Sequence, residues 1–429
     1  MGIYPPNNSP LNTVLISNRL SPRNIDLAFV CRLGRAELIN NYPNKLIMKN
    51  YVEMPTKSLI CFSHLRWDFV FQRPQHLLTR FAANANVYYF EEPMFDAKQD
   101  PYLSLSPRSS SLTVIVPHIK PGLSTSQVQA ALMALLDKFF QNTEMQNWTF
   151  WYYTPMALSF TDKYKPKVVV YDCMDELSAF KFAPEELITL ERKLMAKADI
   201  VFTGGHSLYE AKKQQHSNIY PFPSSIDKAH FEQARKQVQE PADQSVIKGP
   251  KIGFYGVIDE RFDIDLIGNI ATLKPEWQII LIGPVVKIDE SILPRNENIH
   301  YLGQKSYAEL PGYLSGWDMA LIPFQLNEST RFISPTKTPE YLSAGIPVVS
   351  TPIRDVVKPY GIKKLVHIGS TCEEFVEAIE AEFAKETNKV WLKEVDEFLK
   401  DVSWDQTYAT MLKHIQGTLN NNKKISIAS

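Results

Sequence analysis

Two alternating sets of short apolar runs and amphipathic stretches predict an α/β protein built from two doubly wound units, and a polar stretch between the sets marks the boundary. The first set runs Ser58–Ser63, Val87–Phe90, Leu112–Val116, Thr149–Tyr153, Lys167–Tyr171 and Ile200–Thr203, with helical patterns at Val128–Phe140 and Pro184–Ala198. Runs rich in Val, Ile and aromatic residues that alternate with helices indicate a parallel sheet. The second set runs Lys251–Val257, Trp277–Ile282, Ile299–Leu302, Met319–Pro323, Pro347–Ser350 and Leu365–Ile368. Its helices are expected at Phe262–Ile270, Tyr307–Leu314 and Cys372–Ala384. Gln233–Gly249 is polar and without periodicity, so it reads as a linker. Trp404, Tyr408, Met411, Leu412 and Ile415 fall at helical spacing and predict a closing helix over 404–419. The expected organisation is therefore an extension over 1–56, a first Rossmann-like domain over 57–232 and a linker over 233–249. A second Rossmann-like domain over 250–402 and a closing helix and tail over 403–429 complete it. The extension reads either as a plain tail or as an arm that docks on a membrane or partner.

Composition narrows the function. The chain has 429 residues, with 46 basic against 47 acidic side chains, so bulk charge holds no nucleic acid. A local basic groove for one anionic ligand is still compatible with that balance. Cys31, Cys61, Cys173 and Cys372 are far apart and form no CxxC or Cys/His cluster, which argues against a zinc site and for a reducing compartment. No apolar run is long enough to span a bilayer. The opening MGIYPPNNSP has neither a basic nor an apolar leader region, so no signal peptide is expected.

Two doubly wound units joined by a linker imply a cleft, and ligands of such sheets sit at the carboxyl ends of the strands. A dinucleotide is disfavoured there. The turn after the first strand reads Ser63-His64-Leu65-Arg66-Trp67, without glycine, and the second unit offers only Gly253 and Gly256. The informative segment is Ser334–Ser350, SPTKTPEYLSAGIPVVS. Ser334 or Thr338 suits a helix cap, Pro335 or Pro339 the first helical position, and Gly345 the helix end. Free N–H groups at such a helix start attract an anion, Lys337 adds a positive charge in the same turn, and Glu340 follows as a carboxylate. A diphosphate at the helix start, with Glu340 on sugar hydroxyls, would use all three features. An ordinary capped helix is the competing reading.

This segment resembles the donor-binding motif of GT-B glycosyltransferases, especially the large bacterial group that includes the retaining Glu-x7-Glu enzymes. Further segments match in order: Pro221–Phe231, Lys251–Asp263, Leu281–Pro284 and Asn298–Phe324. Ser63–Leu78 resembles a subgroup associated with cell-surface polysaccharide synthesis. The resemblance spans roughly 57–419 and departs from the group at named places. Phe332 stands where the first Glu of the pair belongs, and Ser225 stands where a glycine is usual. His64–Trp67 replaces a glycine-rich acceptor loop, and only Arg261 matches the usual Arg and Lys after the first donor-domain strand.

The resemblance implies a GT-B fold and transfer of a sugar from a nucleotide diphosphate sugar, UDP-linked, to a saccharide or lipid-linked acceptor. Donor binding falls on Gly256, Arg261, Gly283, Ser334, Pro335, Thr336, Lys337 and Glu340. Trp67, Arg73, Gln75 and His76 lie at a helix start facing the cleft and are assigned to the acceptor. The alternative is that Trp67 and Phe71 are core and Arg73 pairs with a carboxylate. Asp172 and Asp175, at a strand end, are candidates for bonding the donor sugar or orienting the acceptor hydroxyl, with helix capping as the alternative. His64 is the candidate general base if the reaction inverts. Asp263-Ile264-Asp265 spells a DxD motif but sits at a helix start, where Asp is a favoured cap, so no metal and no other cofactor is expected. The partners expected are the donor, the acceptor and the inner face of a membrane, and the location is cytoplasmic. An epimerase of the same shape and a degenerate sugar-nucleotide-binding subunit are the competing functions.

Overall fold

The computed structural model describes residues 54–236, 238–385 and 388–428. The expectations for the 1–53 segment lie outside the described residues. The first sheet contains β1 (Ser58–Phe62), β2 (Asn86–Phe90), β3 (Tyr102–Ser109), β4 (Leu112–His118), β5 (Trp148–Tyr152), β6 (Val168–Cys173), β7 (Ile200–Thr203) and β8 (Ile219–Pro221). Its order is β3-β4-β2-β1-β5-β6-β7-β8, parallel except for the β3–β4 hairpin. The second sheet contains β9 (Lys251–Tyr255), β10 (Gln278–Ile282), β11 (Ile299–Gly303), β12 (Met319–Ile322), β13 (Val348–Ser350) and β14 (His367–Ile368). It is fully parallel in the order β11-β10-β9-β12-β13-β14. The strand order reverses at β1 in one sheet and at β9 in the other. Crevices at the carboxyl ends of strands open at such reversals.

The first sheet is covered on both faces, which explains why its strands read as continuous apolar runs. Part of one cover comes from the far end of the chain. The helix Trp404–Ala428 crosses back from the second unit, and Trp404, Met411, Leu412 and Ile415 are buried in the core of the first. Arg80 pairs with Asp405 at 2.6 Å and Asn84 donates to the Tyr408 hydroxyl at 2.7 Å, which fixes the register of this return. The second sheet has its own core, in which Trp317 lies so close to β9 that any side chain at Gly253 would meet its ring at 2.2 Å.

Several features differ from the sequence reading, among them the short strand β8. β3 was not expected: its residues alternate with serine, include Pro107 and are largely exposed at the sheet edge. The helix Lys389–Leu399 was also missed. Of the stretch expected as a linker, residues 238–249 are docked on the second unit rather than loose. Gln244 is fully buried, accepts the Trp317 Nε1–H at 2.8 Å and donates to Tyr313 O at 2.9 Å. A buried polar side chain satisfied by hydrogen bonds leaves no apolar periodicity to read.

Candidate active site

The carboxyl ends of the two sheets face one cavity of about 750 Å³. One wall is the turn after β1 and the strand end after β6, and the other is the turns after β9 and β10 and the segment leading into the helix Lys337–Ser343. Gly256 and Gly283 let the two second-unit turns touch. They adopt φ values of 148° and 143°, and a Cβ on Gly283 would lie 1.8 Å from Gly256 O. A Cβ on Gly256 would come within 2.9 Å of the Lys337 side chain, so this glycine makes room for the lysine.

Ser334, Pro335, Thr336, Lys337 and Glu340 all line the cavity, as do Gly256, Arg261 and Gly283. The helix begins at Lys337, with Thr336 as its cap residue, and neither Ser334 nor Thr338 caps it through a side chain. The N–H groups of Thr336 and Lys337 have no backbone acceptor among the described residues. Lys337 forms no ion pair there, and burial pulls its ammonium below the usual lysine range. Glu340 is buried, with 6% exposure, rather than open to solvent. It accepts a short hydrogen bond from the Tyr255 hydroxyl, while the Tyr255 N–H donates to the Tyr341 hydroxyl at 3.0 Å. Burial pushes the Glu340 carboxyl up to about 7.

Arg261 lines the cavity with its charge already committed. Its Nε bonds both oxygens of Asp259 at 3.0 and 3.1 Å, Nη2 bonds Asp259 at 2.7 Å, and its plane lies 5.2 Å from the Phe180 ring. Of the residues considered for chemistry on the first unit, Asp175 reaches the cavity. Burial raises its carboxyl to about 6, against the pull of Arg261 and Arg73.

Asp172 and His64 are placed elsewhere. Asp172 has no exposure and receives Arg73 bidentately, at 3.1 Å from Nε and 2.8 Å from Nη2. Arg73 also donates to Phe222 O at 2.8 Å, so its whole fork is spent inside the first unit. The carboxylate-pairing alternative for Arg73 is the one the structure contains. His64 is buried and lies outside the cavity lining, and burial, followed by the charge of Lys287, lowers its imidazole to about 4.

The acceptor candidates serve mostly to build the wall. The Trp67 N–H donates to Glu91 at 2.7 Å and its ring packs edge-on against Tyr89. Gln75 donates to Trp67 O at 2.6 Å and Val70 O at 3.0 Å, which closes the turn before the helix Arg73–Phe81. His76 stacks on Trp404 at 4.7 Å and does not line the cavity. The contacts across the cleft come from other side chains, and Phe71, for which a core place was the alternative, is 42% exposed and is one of them. Phe71 stacks on Tyr307 at 4.6 Å, and Gln304 donates to Phe69 O at 2.5 Å. Tyr255 and Asp259 were missed, although Tyr255 ends a strand just before Gly256 and Asp259 lies two residues from Arg261. Asp263 caps the helix Ile264–Leu273 by accepting the Leu266 N–H at 3.0 Å.

Comparison with known proteins defines the class. Sucrose-phosphate synthase from Thermosynechococcus elongatus superposes with a TM-score of 0.61 at 13% identity, over 87% of this chain and all of that one. An α,α-trehalose-phosphate synthase from Burkholderia xenovorans, in complex with glucose-6-phosphate, gives 0.62 at 9% identity, over 84% of this chain and all of that one. HepE of Anabaena, in complex with UDP and glucose, gives 0.59 at 12% identity, over 84% and 99% of the two chains. The fold is GT-B, two Rossmann-like domains facing across a cleft. Within it, residues 249–384 match the family described as Glycosyl transferases group 1. TuaH of Bacillus subtilis (strain 168), assigned to teichuronic acid biosynthesis as a glycosyltransferase, is 25% identical over 232 residues. That match covers 49% of this chain and spans 57% of the relative's length.

Proposed function

We propose that the protein is a glycosyltransferase that moves a sugar from a nucleotide diphosphate sugar, UDP-linked, to a saccharide or lipid-linked acceptor in surface polysaccharide assembly. The observation that carries this reading is the placement of Lys337, without an ion pair among the described residues, and Glu340 in one cavity opposite Asp175. The N–H groups of Thr336 and Lys337 and the Lys337 ammonium meet the diphosphate, where charge grows as the glycosidic bond breaks. Glu340 holds ribose hydroxyls, oriented by the Tyr255 hydroxyl. Asp175 accepts a hydrogen bond from the acceptor hydroxyl and aligns it with the anomeric carbon. Arg261 shapes the wall and shares its charge with Asp259, so the diphosphate depends mainly on Lys337. The acceptor enters along the turn after β1, beside the stacked rings of Phe71 and Tyr307. Work at the inner face of a membrane fits a lipid-linked acceptor, and among the described residues no helix is long and apolar enough to cross one.

The test is a thermal-shift screen over nucleotides and nucleotide sugars, followed by product analysis with and without acceptor. A true donor raises the melting temperature by mass action. Formation of an isomerised sugar without acceptor, rather than slow hydrolysis of the donor, would make the protein an epimerase. Binding without any turnover would make it a sugar-nucleotide-binding subunit.

A further inference from the structure

Most of the charged groups that line the cavity are already committed to partners. Two guanidinium groups line it, and both are already bidentate on buried aspartates. Arg73 is held by Asp172 at 2.8 and 3.1 Å, and Arg261 by Asp259 at 2.7 to 3.1 Å. Asp172 and Asp259 have 0% and 3% exposure, so neither releases its arginine without leaving a buried carboxylate unpaired. Lys305, at the rim, is spent on Asp243 at 2.6 Å. Lys337 is the cation without an ion pair among the described lining residues, and the diphosphate takes it. Asp175, by contrast, brings a carboxylate into the same space with no hydrogen bond on either side-chain oxygen among the described residues. The apolar part of the opposite, second-unit wall includes Phe254, Phe324 and Ile333.

A sugar attached to a diphosphate at Lys337 lies between that lysine and the groups across the cleft. We infer that the transferred sugar is uncharged, a neutral hexose or its N-acetylamino derivative, and that this cavity discriminates against uronic acids. A sugar carboxylate would enter a partly desolvated site that already holds Asp175 and would find each guanidinium engaged. Like charges brought together under those conditions repel strongly, and specificity built from such repulsion acts even when shape is matched. Neutral hydroxyls and amides meet no such obstacle and supply donors for the open oxygens of Asp175. The position of Asp175 itself supports this, because burial already raises its carboxyl to about 6 and so disfavours further negative charge. The inference rests on the donor reading of the Lys337 and Glu340 site.

The experiment compares matched pairs by calorimetry on the full chain at pH 7.5: UDP-glucose against UDP-glucuronate, and UDP-galactose against UDP-galacturonate, with UDP as reference. The neutral member of each pair is expected to bind at least as tightly as UDP, and the uronate roughly tenfold or more weakly than its partner. Asp259→Asn, which loosens the hold on Arg261, should narrow that gap. A uronate that binds as tightly as its neutral partner overturns the inference and leaves the donor site standing. If UDP and all four sugars fail to bind, the donor reading falls and takes the inference with it.

Discussion

Asp355 of the second unit caps a helix of the first: its Oδ1 accepts the Ser207 N–H at 3.0 Å and also the Ser207 hydroxyl. The helix concerned is His206–Lys212, and the residue before it is Gly205. A Cβ on Gly205 would lie 2.2 Å from Asp355 Oδ2, so the carboxylate approaches only because that position lacks a side chain. Asp355→Ala leaves a buried N–H without its acceptor. It is expected to cost about 1–3 kcal/mol and to let the two units separate more often. Melting temperature reads the first effect, and faster amide exchange at Ser207 and Tyr209 reads the second. Unchanged exchange at those amides would mean that the contact does not hold the cleft.

Lys337→Ala is the central test of the mechanism. The ammonium is preorganised beside Gly256 and leaves no ion pair behind among the described residues, so its removal should change stability little. Turnover should fall by about two to three orders of magnitude, as removal of preorganised transition-state charge does. The same logic gives the expectation that activity survives EDTA. Loss in EDTA with recovery on adding manganese would show that a cation does what is assigned here to Lys337.

Glu340 links the site to pH. Its folded carboxyl titrates near 7, above the ordinary value of 4.5. A raised acid favours the folded state below its unfolded value, and that advantage is lost as pH rises through the folded one. Glu340→Gln removes the ionisation altogether. The variant should melt above the parent at pH 8, and the two should converge below pH 4.5. Its donor affinity should fall at the same time, which thermal melts with and without UDP-sugar will separate. Convergence at pH 8 instead would place the carboxylate in a wetter setting than the structure shows.

Arg73→Ala should destabilise rather than impair acceptor use alone. It strands the fully buried Asp172, and breaking such a pair from one side costs about 3–5 kcal/mol. Replacing both partners with apolar residues of similar volume should recover much of that loss. A well-folded single variant with normal melting and selectively weakened acceptor kinetics would restore the ligand role that the sequence suggested.

Most strand runs of both sheets were legible because buried parallel strands are continuously apolar, and the Ser334–Glu340 segment stood out because proline, lysine and acid crowd a helix start, although no side chain there caps the helix. The partners of charged residues were not. Trp67, Arg73, Gln75 and His76 form a polar, aromatic cluster at a helix start, and nothing in their spacing separates a ligand site from an internal brace. Arg73 and Asp172 are 99 residues apart, and only folding brings them together. Asp175 and Asp172 looked equivalent at one strand end. Strand alternation turns Asp172 into the protein, and the following loop carries Asp175 into the cavity. Phe71 and Tyr307 were invisible as a pair for the same reason, since they lie on opposite units.

The return of the helix Trp404–Ala428 to the first sheet bears on how the chain matures during synthesis. Domains tend to fold as units, amino-terminal first, as the chain emerges from the ribosome. Here the amino-terminal domain lacks part of one apolar cover until the residues after 403 are made, by which time the second domain is complete. Met411, Leu412 and Ile415 each bury almost all of their surface in that early domain, at about 1.5–3 kcal/mol apiece. Until they arrive, the half-covered sheet presents an adhesive face to other nascent chains. A version cut at 403 is therefore expected to emerge aggregated or bound to chaperones, and one with the helix supplied as a separate peptide to be rescued in part.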